Sequence, residues 1–237
     1  MLYSEQNVRH NIRNRDGRRV FYLGAGDQLT PSARDWLRQQ RIEILPAAEA
    51  KPEHYVLENG AFFQEKPEDY THLRGNILVP KTHPVIAFRG AMDTLQAELL
   101  LSQLAVPELQ RELGEILSLA RLILSREVME EPLEEATLCG LTEAEQRKHS
   151  HLPQKYYGQP HFMPEAEDTL TVLRLNRLRC LARQAELAAA HAFSDREGNI
   201  TREDILQAMN RMSSMLYILM IQEKGKHREG TVWNSTH

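Results

Sequence analysis

The stretch "TVLRLNRLRCLARQAEL", residues 171–187, decides how the chain is read, because it places Arg174, Arg177, Arg179 and Arg183 in a segment otherwise made largely of Leu and Ala. On a helix turning roughly 100° per residue, Leu170, Leu175, Leu178, Leu181, Ala182, Ala185 and Ala189 share one arc, which is expected to face a core. Arg179 and Arg183, four apart, project together beside that arc with Glu186 on the same edge, whereas Arg174 and Arg177 point away. The arginines are therefore two pairs. One reading makes all four surface residues whose stems cover apolar area. The other needs an anionic counterpart, and Asp93 on an earlier helix, at the edge of an apolar face, is the carboxylate that an arginine would meet with two parallel hydrogen bonds. Asn210 and Arg211 add an amide and a cation beside a Met-rich stripe, so the helices are expected to enclose an anion-binding crevice.

Outward from this helix the pattern stays helical. Residues 84–105 form a first long helix, and Pro107 opens a second running to about Glu127. "TEAE" after Leu141 is a capping-box pattern for a short helix. The arginine-bearing helix is expected from about Pro164 to Phe193. A last one is expected from Thr201, with Asp204 at the box position, to about Gln222; on it Ile205, Met209, Met212, Leu216 and Leu219 repeat at core spacing. Residues 81–224 thus read as a helical bundle and 225–237 as a flexible tail.

The N-terminal part reads differently. "RRVFYLGAGDQLTPSARDWLRQQRIEILP", residues 18–46, has an apolar run, a Gly-rich turn, a helix capped by Thr30 with Pro31 at its first position, and a second apolar run. Residues 1–45 are expected to be a small strand–helix–strand unit. The "GAGD" turn invites a phosphate-binding reading but lacks the full glycine fingerprint. The basic N-terminal stretch, with Val8 and Ile12 one turn apart, reads as a targeting helix or as a frayed terminus. Residues 46–80 carry Pro, Glu and Gly without sustained period and read as a linker or extended loop.

Composition narrows the classes of function. A net charge of −4 over 237 residues argues against a nucleic-acid binder driven by bulk electrostatics. Two cysteines, Cys139 and Cys180, give no disulfide framework and no thiolate metal site, which fits a reducing cytoplasm. No segment has the length to span a bilayer. "HSH" at 149–151 has no carboxylate or Cys at ligand spacing, so a capping or surface role outweighs metal binding. Ser213 and Ser214 have no nearby His or Asp to activate them, which argues against hydrolase chemistry.

Longer motifs carry a family resemblance. "LTPSARDWLRQQRIEI", "KPEDYTHL", "HPVIAFRGAMDTL", "KHSHLPQKYYGQPHFMPEA" and "ILQAMNRMSSMLYILMI" resemble the ATP:corrinoid adenosyltransferases over most of the chain, and within them the ethanolamine-utilization type. The resemblance implies a mainly α fold, a five-helix bundle of the propanediol-utilization type. It also implies a homotrimer with ATP, Mg²⁺ and cobalamin meeting between subunits. It places an Asp–Arg ion pair on Asp93 and Arg179, an ATP-contacting Arg on Arg183, and further ATP contacts on Glu186 and Asn210. The phosphate loop matches poorly; its nearest residues are Lys66, Thr71 and Lys81, which makes 46–80 also the expected phosphate loop. The aromatic on the corrinoid side falls on His161 or Phe162. Where the family carries two more arginines, this chain has Gln184 and Leu187. Some ethanolamine-type members carry a His- and Cys-rich metal motif ahead of "KP-D-THL"; here that region has His54 and no cysteine, so no bound iron or zinc is expected.

The activity so implied joins the 5′-carbon of ATP to the cobalt of cob(I)alamin, reduced from cob(II)alamin, and releases triphosphate. Further partners implied are a flavin-dependent reductase and ethanolamine ammonia-lyase, in the cytoplasm or within a bacterial microcompartment. Two rivals stand beside it: a cobalamin-binding chaperone or escort of the same fold, and a purely structural helical module.

Overall fold

The N-terminal segment is built into a core and is neither frayed nor a detached targeting helix. In the computed structural model, which describes residues 1–15, 17–47 and 55–233, β1 (Leu2–Tyr3) leads into α1 (Glu5–Arg9), capped by the Ser4 side chain. Val8 on α1 is fully buried among Phe21, Leu29, Ala33, Leu37 and Ile42. The arginine-rich residues that follow are strands: β2 (Arg13–Arg15) pairs antiparallel with β3 (Arg18–Leu23). After β4 (Gln28–Leu29), α2 (Pro31–Gln39) starts where Thr30 and Pro31 place it, with Thr30 Oγ1 accepting from the Ala33 amide. β5 (Glu43–Pro46) then pairs in parallel with β3.

This departs from a simple strand–helix–strand unit. β3 and β5 do flank α2, but β4 intervenes and pairs with β1 in a sheet of its own. The same strand removes the phosphate reading of "GAGD": the turn opens into β4 and not into a helix, so its amides do not gather at a helix N-terminus. Asp27 in that turn instead accepts a hydrogen bond from the Met1 amino group at 2.5 Å.

Residues 55–80, expected as linker or loop, contain four short strands: β6 (Tyr55–Leu57), β7 (Phe62–Phe63), β8 (Tyr70–Arg74) and β9 (Ile77–Pro80), in the order β7-β6-β9-β8. Gly75 makes the turn from β8 to β9 with φ +51°, and a Cβ there would lie 2.8 Å from the Asn14 carbonyl oxygen. Both the backbone angle and the close approach require glycine.

The chain divides into two compact units, Met1–His83 and Pro84–His237. The second is all α, and the protein as a whole is mainly helical. α3 (Pro84–Ala105) has the predicted bounds. A 3₁₀ turn (Pro107–Leu109) precedes α4 (Gln110–Met129), and α5 (Glu143–His151) carries the predicted capping box between Thr142 and Glu145. α6 (Pro153–Tyr157), α7 (Leu170–Ala192) and α8 (Glu203–Trp233) follow. Phe88, Met92, Leu95 and Leu99 of α3, Leu113 and Ile116 of α4, Leu175 and Leu178 of α7, and the α8 stripe Ile205, Met209, Met212, Leu216 and Leu219 are all buried, with α7 packed between α3 and α8. Each such side chain contributes roughly 1.5–3 kcal/mol when fully buried. A bidentate pair ties α3 to α4, with Arg89 Nε and Nη2 donating to Glu127 at 2.7 and 3.0 Å.

The start of α7 and both ends of α8 moved, while α7 ends as expected at its C-cap Phe193. α7 begins at Leu170 and not at Pro164, because Asp168 accepts from the Glu165 amide and closes a turn first. α8 starts two residues after Thr201, whose hydroxyl donates to the Phe193 carbonyl and so does not cap the helix. Asp204 is engaged by Arg202 and the Leu133 amide. At its other end α8 runs past Gln222 to Trp233. Among the described residues, no helix is long and apolar enough to cross a membrane.

Candidate functional site

Thr169 sets the phase of the arginine-bearing helix: its hydroxyl accepts from the Val172 amide and starts α7 at Leu170. Val172, Leu175, Leu178, Ala182, Ala185 and Ala189 then fall on the buried face. Leu170, expected on that arc, is 62% exposed, since at roughly 100° per residue it falls to the side of the face that Val172 and Leu175 bury. α7 and α8 run antiparallel, with Asp168 meeting Lys224 near one end and Phe193 meeting Thr201 at the other. Between these contacts the Arg179 guanidinium lies 5.2 Å over the Tyr217 ring. With equal rise per residue on the two helices, Arg183 falls near the level of Ser213 and Ser214, and Glu186 near that of Asn210. Four expected site residues thus line one seam. Arg179 and Glu186 are half-buried on it, and Arg183 and Asn210 are exposed.

The central loop meets the same seam. His161 Nδ1 lies 2.6 Å from the Tyr217 hydroxyl, with the two rings stacked at 5.8 Å and 10°. The Lys224 ammonium lies 5.3 Å over the Phe162 ring. Both residues offered for the corrinoid side are therefore anchored to α8. Tyr217 was not singled out from the sequence, although its position two turns after Asn210 is the spacing that would have flagged it.

Electrostatics follow burial. The Glu186 carboxyl is pushed up by burial, with the Arg183 guanidinium partly opposing the shift. The Tyr217 phenol is pushed up by burial, again against a nearby cation, Arg179. Arg211, expected beside Asn210 in the crevice, is on a different face. It is buried, and its guanidinium donates to the Ala136 carbonyl at 2.9 Å and to Glu143 at 3.1 Å. Adjacent residues on a helix point about 100° apart, so one of the two had to leave the seam. Arg177 is also engaged, 3.1 Å from Glu98 of α3.

Asp93 is exposed on α3 and has no ion-pair partner among the described residues. Its expected pairing with Arg179 is not formed within one chain. In the first unit, Thr71 on β8 pairs with Val79 on β9, and Lys81 Nζ lies 3.1 Å from Glu68. The Lys81 hydrogen bond and the charges of Lys81 and Lys66 hold the Glu68 carboxyl below its ordinary value. Lys66 and Lys81 therefore both act on one acidic residue, while Thr71 lies on the neighbouring strand β8. His54 lies outside the described residues.

"HSH" serves packing: His149 stacks on Tyr156 at 3.9 Å, and its Nδ1 is 2.6 Å from the Tyr157 hydroxyl. Among the described residues no group of three or more His, Cys, Asp or Glu is placed to hold a metal ion. A cavity of about 560 Å³ lies between α4, the 133–138 segment and α8, lined among others by Ser118, Leu122, Leu133, Gln207 and Arg211. Of the residues expected in the crevice it contains Arg211 alone.

A family model described as cobalamin adenosyltransferase matches residues 61–223, a span that takes in the seam and the central loop. The chain is 32% identical over 231 residues to the corrinoid adenosyltransferase EutT of Salmonella typhimurium, covering 87% of this chain and 86% of that protein. It is 30% identical over 225 residues to the corrinoid adenosyltransferase EutT of Escherichia coli K12, covering 85% and 84%. No solved structure matches.

Proposed function

The chain belongs to the cobalamin adenosyltransferase family and is a transferase, and from that premise we propose that it transfers the 5′-deoxyadenosyl group of ATP to cob(I)alamin, giving adenosylcobalamin and triphosphate. The observation that carries this reading is the α7–α8 seam, where two arginines, a carboxylate and an amide stand beside the anchored His161–Phe162 segment. The cobalt nucleophile forms a bond to C5′ as the C5′–O bond breaks, and the electron pair leaves with the triphosphate. Such a step asks a protein to align the reacting atoms and to stabilise the leaving polyanion. It requires no general base, and the two arginines and the amide of the seam suit the developing negative charge instead.

In this reading Arg183 meets the triphosphate, Asn210 and Glu186 hold the nucleotide, and Lys66, Thr71 and Lys81 supply the phosphate loop. Lys81 would exchange Glu68 for phosphate, a modest cost because exposed ion pairs contribute little. Mg²⁺ is usually held through one or two carboxylates and substrate phosphates, without an all-protein cage. Glu186 fits that need as the carboxylate beside Arg183, and the ion would supply charge neutralisation to the leaving group. His161 or Phe162 faces the corrinoid and keeps water from the lower side of cobalt, which favours its reduction before transfer.

The finer architecture belongs to the same proposal. α3, α4, α5, α7 and α8 make the five-helix bundle, and three copies assemble so that Asp93 of one meets Arg179 of the next. Leu100, Leu101 and Leu104, the last 79% exposed, leave an apolar stripe on the Asp93 helix that such an interface would cover. A flavin-dependent reductase supplies the electron and ethanolamine ammonia-lyase uses the product, in the cytoplasm or a microcompartment. One observation favours the chaperone reading: Gln184 and Leu187 are exposed where the family resemblance places arginines.

Anaerobic incubation with cobalamin, a chemical reductant and Mg-ATP tests the proposal. The spectrum of the alkylated corrinoid is the expected result. Cobalamin binding with no alkylated product would leave the escort reading in its place.

A further inference from the structure

The Tyr217 hydroxyl makes more contacts with the central loop than a side chain that merely packs on a helix needs. Besides the 2.6 Å contact to His161 Nδ1, its oxygen has the Phe162 amide close enough to oppose the upward push of burial on the phenol. The hydrogen assignments follow from a third contact. His161 Nε2 lies 3.3 Å from the His151 carbonyl oxygen, which can only accept. Nε2 therefore carries the hydrogen, Nδ1 of the neutral ring is the acceptor, and the phenol donates to it. Burial keeps that phenol protonated above its ordinary range, so the donor persists through neutral pH. One hydroxyl thus fixes the loop by donating to His161, with the amide of the next residue, Phe162, beside it. Meanwhile the ring receives the Arg179 guanidinium at 5.2 Å.

We infer that Tyr217 is a positioning residue that sets the place of the His161–Phe162 segment relative to Arg179, and so holds the corrinoid side of the seam in register with the nucleotide side. This rests on the proposed function. The residue is not catalytic, since the transfer moves no proton and the hydroxyl is already committed to the loop. Its two parts separate chemically: the hydroxyl holds the loop, and the ring holds Arg179.

Tyr217→Phe keeps the ring and removes only the hydroxyl. The KM for the corrinoid is expected to rise about tenfold, the equivalent of about one hydrogen bond. The KM for ATP and the melting temperature should stay near those of the wild type. Hydrogen–deuterium exchange should rise in peptides covering 159–163 and stay constant in those covering 143–151. Tyr217→Ala, which also removes the ring, should raise both KM values. The inference is overturned if Tyr217→Phe leaves corrinoid KM and loop exchange unchanged, or raises both KM values equally while lowering stability. Wild-type protein without turnover would sink the proposed function instead. The exchange pattern and the affinity for cob(II)alamin, compared between wild type and Tyr217→Phe, would then decide the role of Tyr217.

Discussion

Asp168 forms an ion pair with Lys224, joining the turn that precedes α7 to the far part of α8. The Asp168 side chain is only 3% exposed, and Lys224 reaches from it to the face of Phe162. Burial pushes the carboxyl up, but the Lys224 ammonium and the Glu165 amide outweigh it and hold the group below the ordinary carboxylate range. A carboxyl depressed in the folded state stabilises the fold above its unfolded pKa, about 4, and the contribution is lost as pH falls through the folded value. Asp168→Asn is expected to cost about 2 kcal/mol at neutral pH and to flatten the acid limb of thermal stability below about pH 4. An unchanged acid limb would refute this.

Arg183 is exposed and makes no contact that the bundle needs, so its removal separates function from stability. Arg183→Ala is expected to lower turnover about a hundredfold, the scale seen when a preorganised donor to developing charge is lost. The melting temperature should be unchanged. Wild-type kinetics with ATP in this variant would show that the triphosphate is held elsewhere, and would also suit a purely structural module.

Glu127 should behave oppositely. It is 5% exposed and neutralises Arg89 through two hydrogen bonds. Glu127→Ala is expected to lower stability by roughly 3 kcal/mol, read as a shifted urea midpoint. Turnover of the molecules that remain folded should be little changed, because the pair lies on α3 and α4, away from the seam.

The two cysteines should differ in reactivity. Burial, with the Glu115 and Glu112 carboxylates adding to it, pushes the Cys139 thiol up to about 12. Its thiolate fraction is thus about a thousandfold below that of a free cysteine. Cys180 is exposed. Iodoacetamide at pH 8 should add one adduct, at Cys180, with Cys139 labelled only after unfolding. Equal labelling of both by mass spectrometry would contradict the burial of Cys139.

Helices were legible where period and caps agreed. α3 has the predicted bounds, and the Thr142–Glu145 box starts α5. The strands of 55–80 were not, because Tyr55–Leu57 and Phe62–Phe63 are too short to show an alternation, and β6 takes a second partner, β9, from beyond β7 and β8. Pro164 looked like a helix start, but the side chain of Asp168 captured the Glu165 amide and passed the start to Thr169. On the site, the residue types came from the resemblance, and the helical wheel placed Arg179, Arg183 and Glu186 on one edge. Arg211 could not be read from sequence, since its acceptors Ala136 and Glu143 lie about seventy residues away. The spacing of Tyr217 from Asn210 put it within reach of a sequence reading, but its contacts did not show there, its partners being on α7 and the central loop.

The neighbours Asn210 and Arg211 carry a constraint on how α8 can change over generations. One faces the seam and the other clamps Ala136 and Glu143, so the helix serves two surfaces about 100° apart. A substitution alters one surface and leaves the other intact. A single inserted or deleted codon between Asp204 and Tyr217 would rotate one surface against the other and lose either the latch or the seam. Variation in this helix should therefore proceed by replacement at fixed length, while insertions collect in exposed stretches such as Glu134–Glu135, which no helix phase governs.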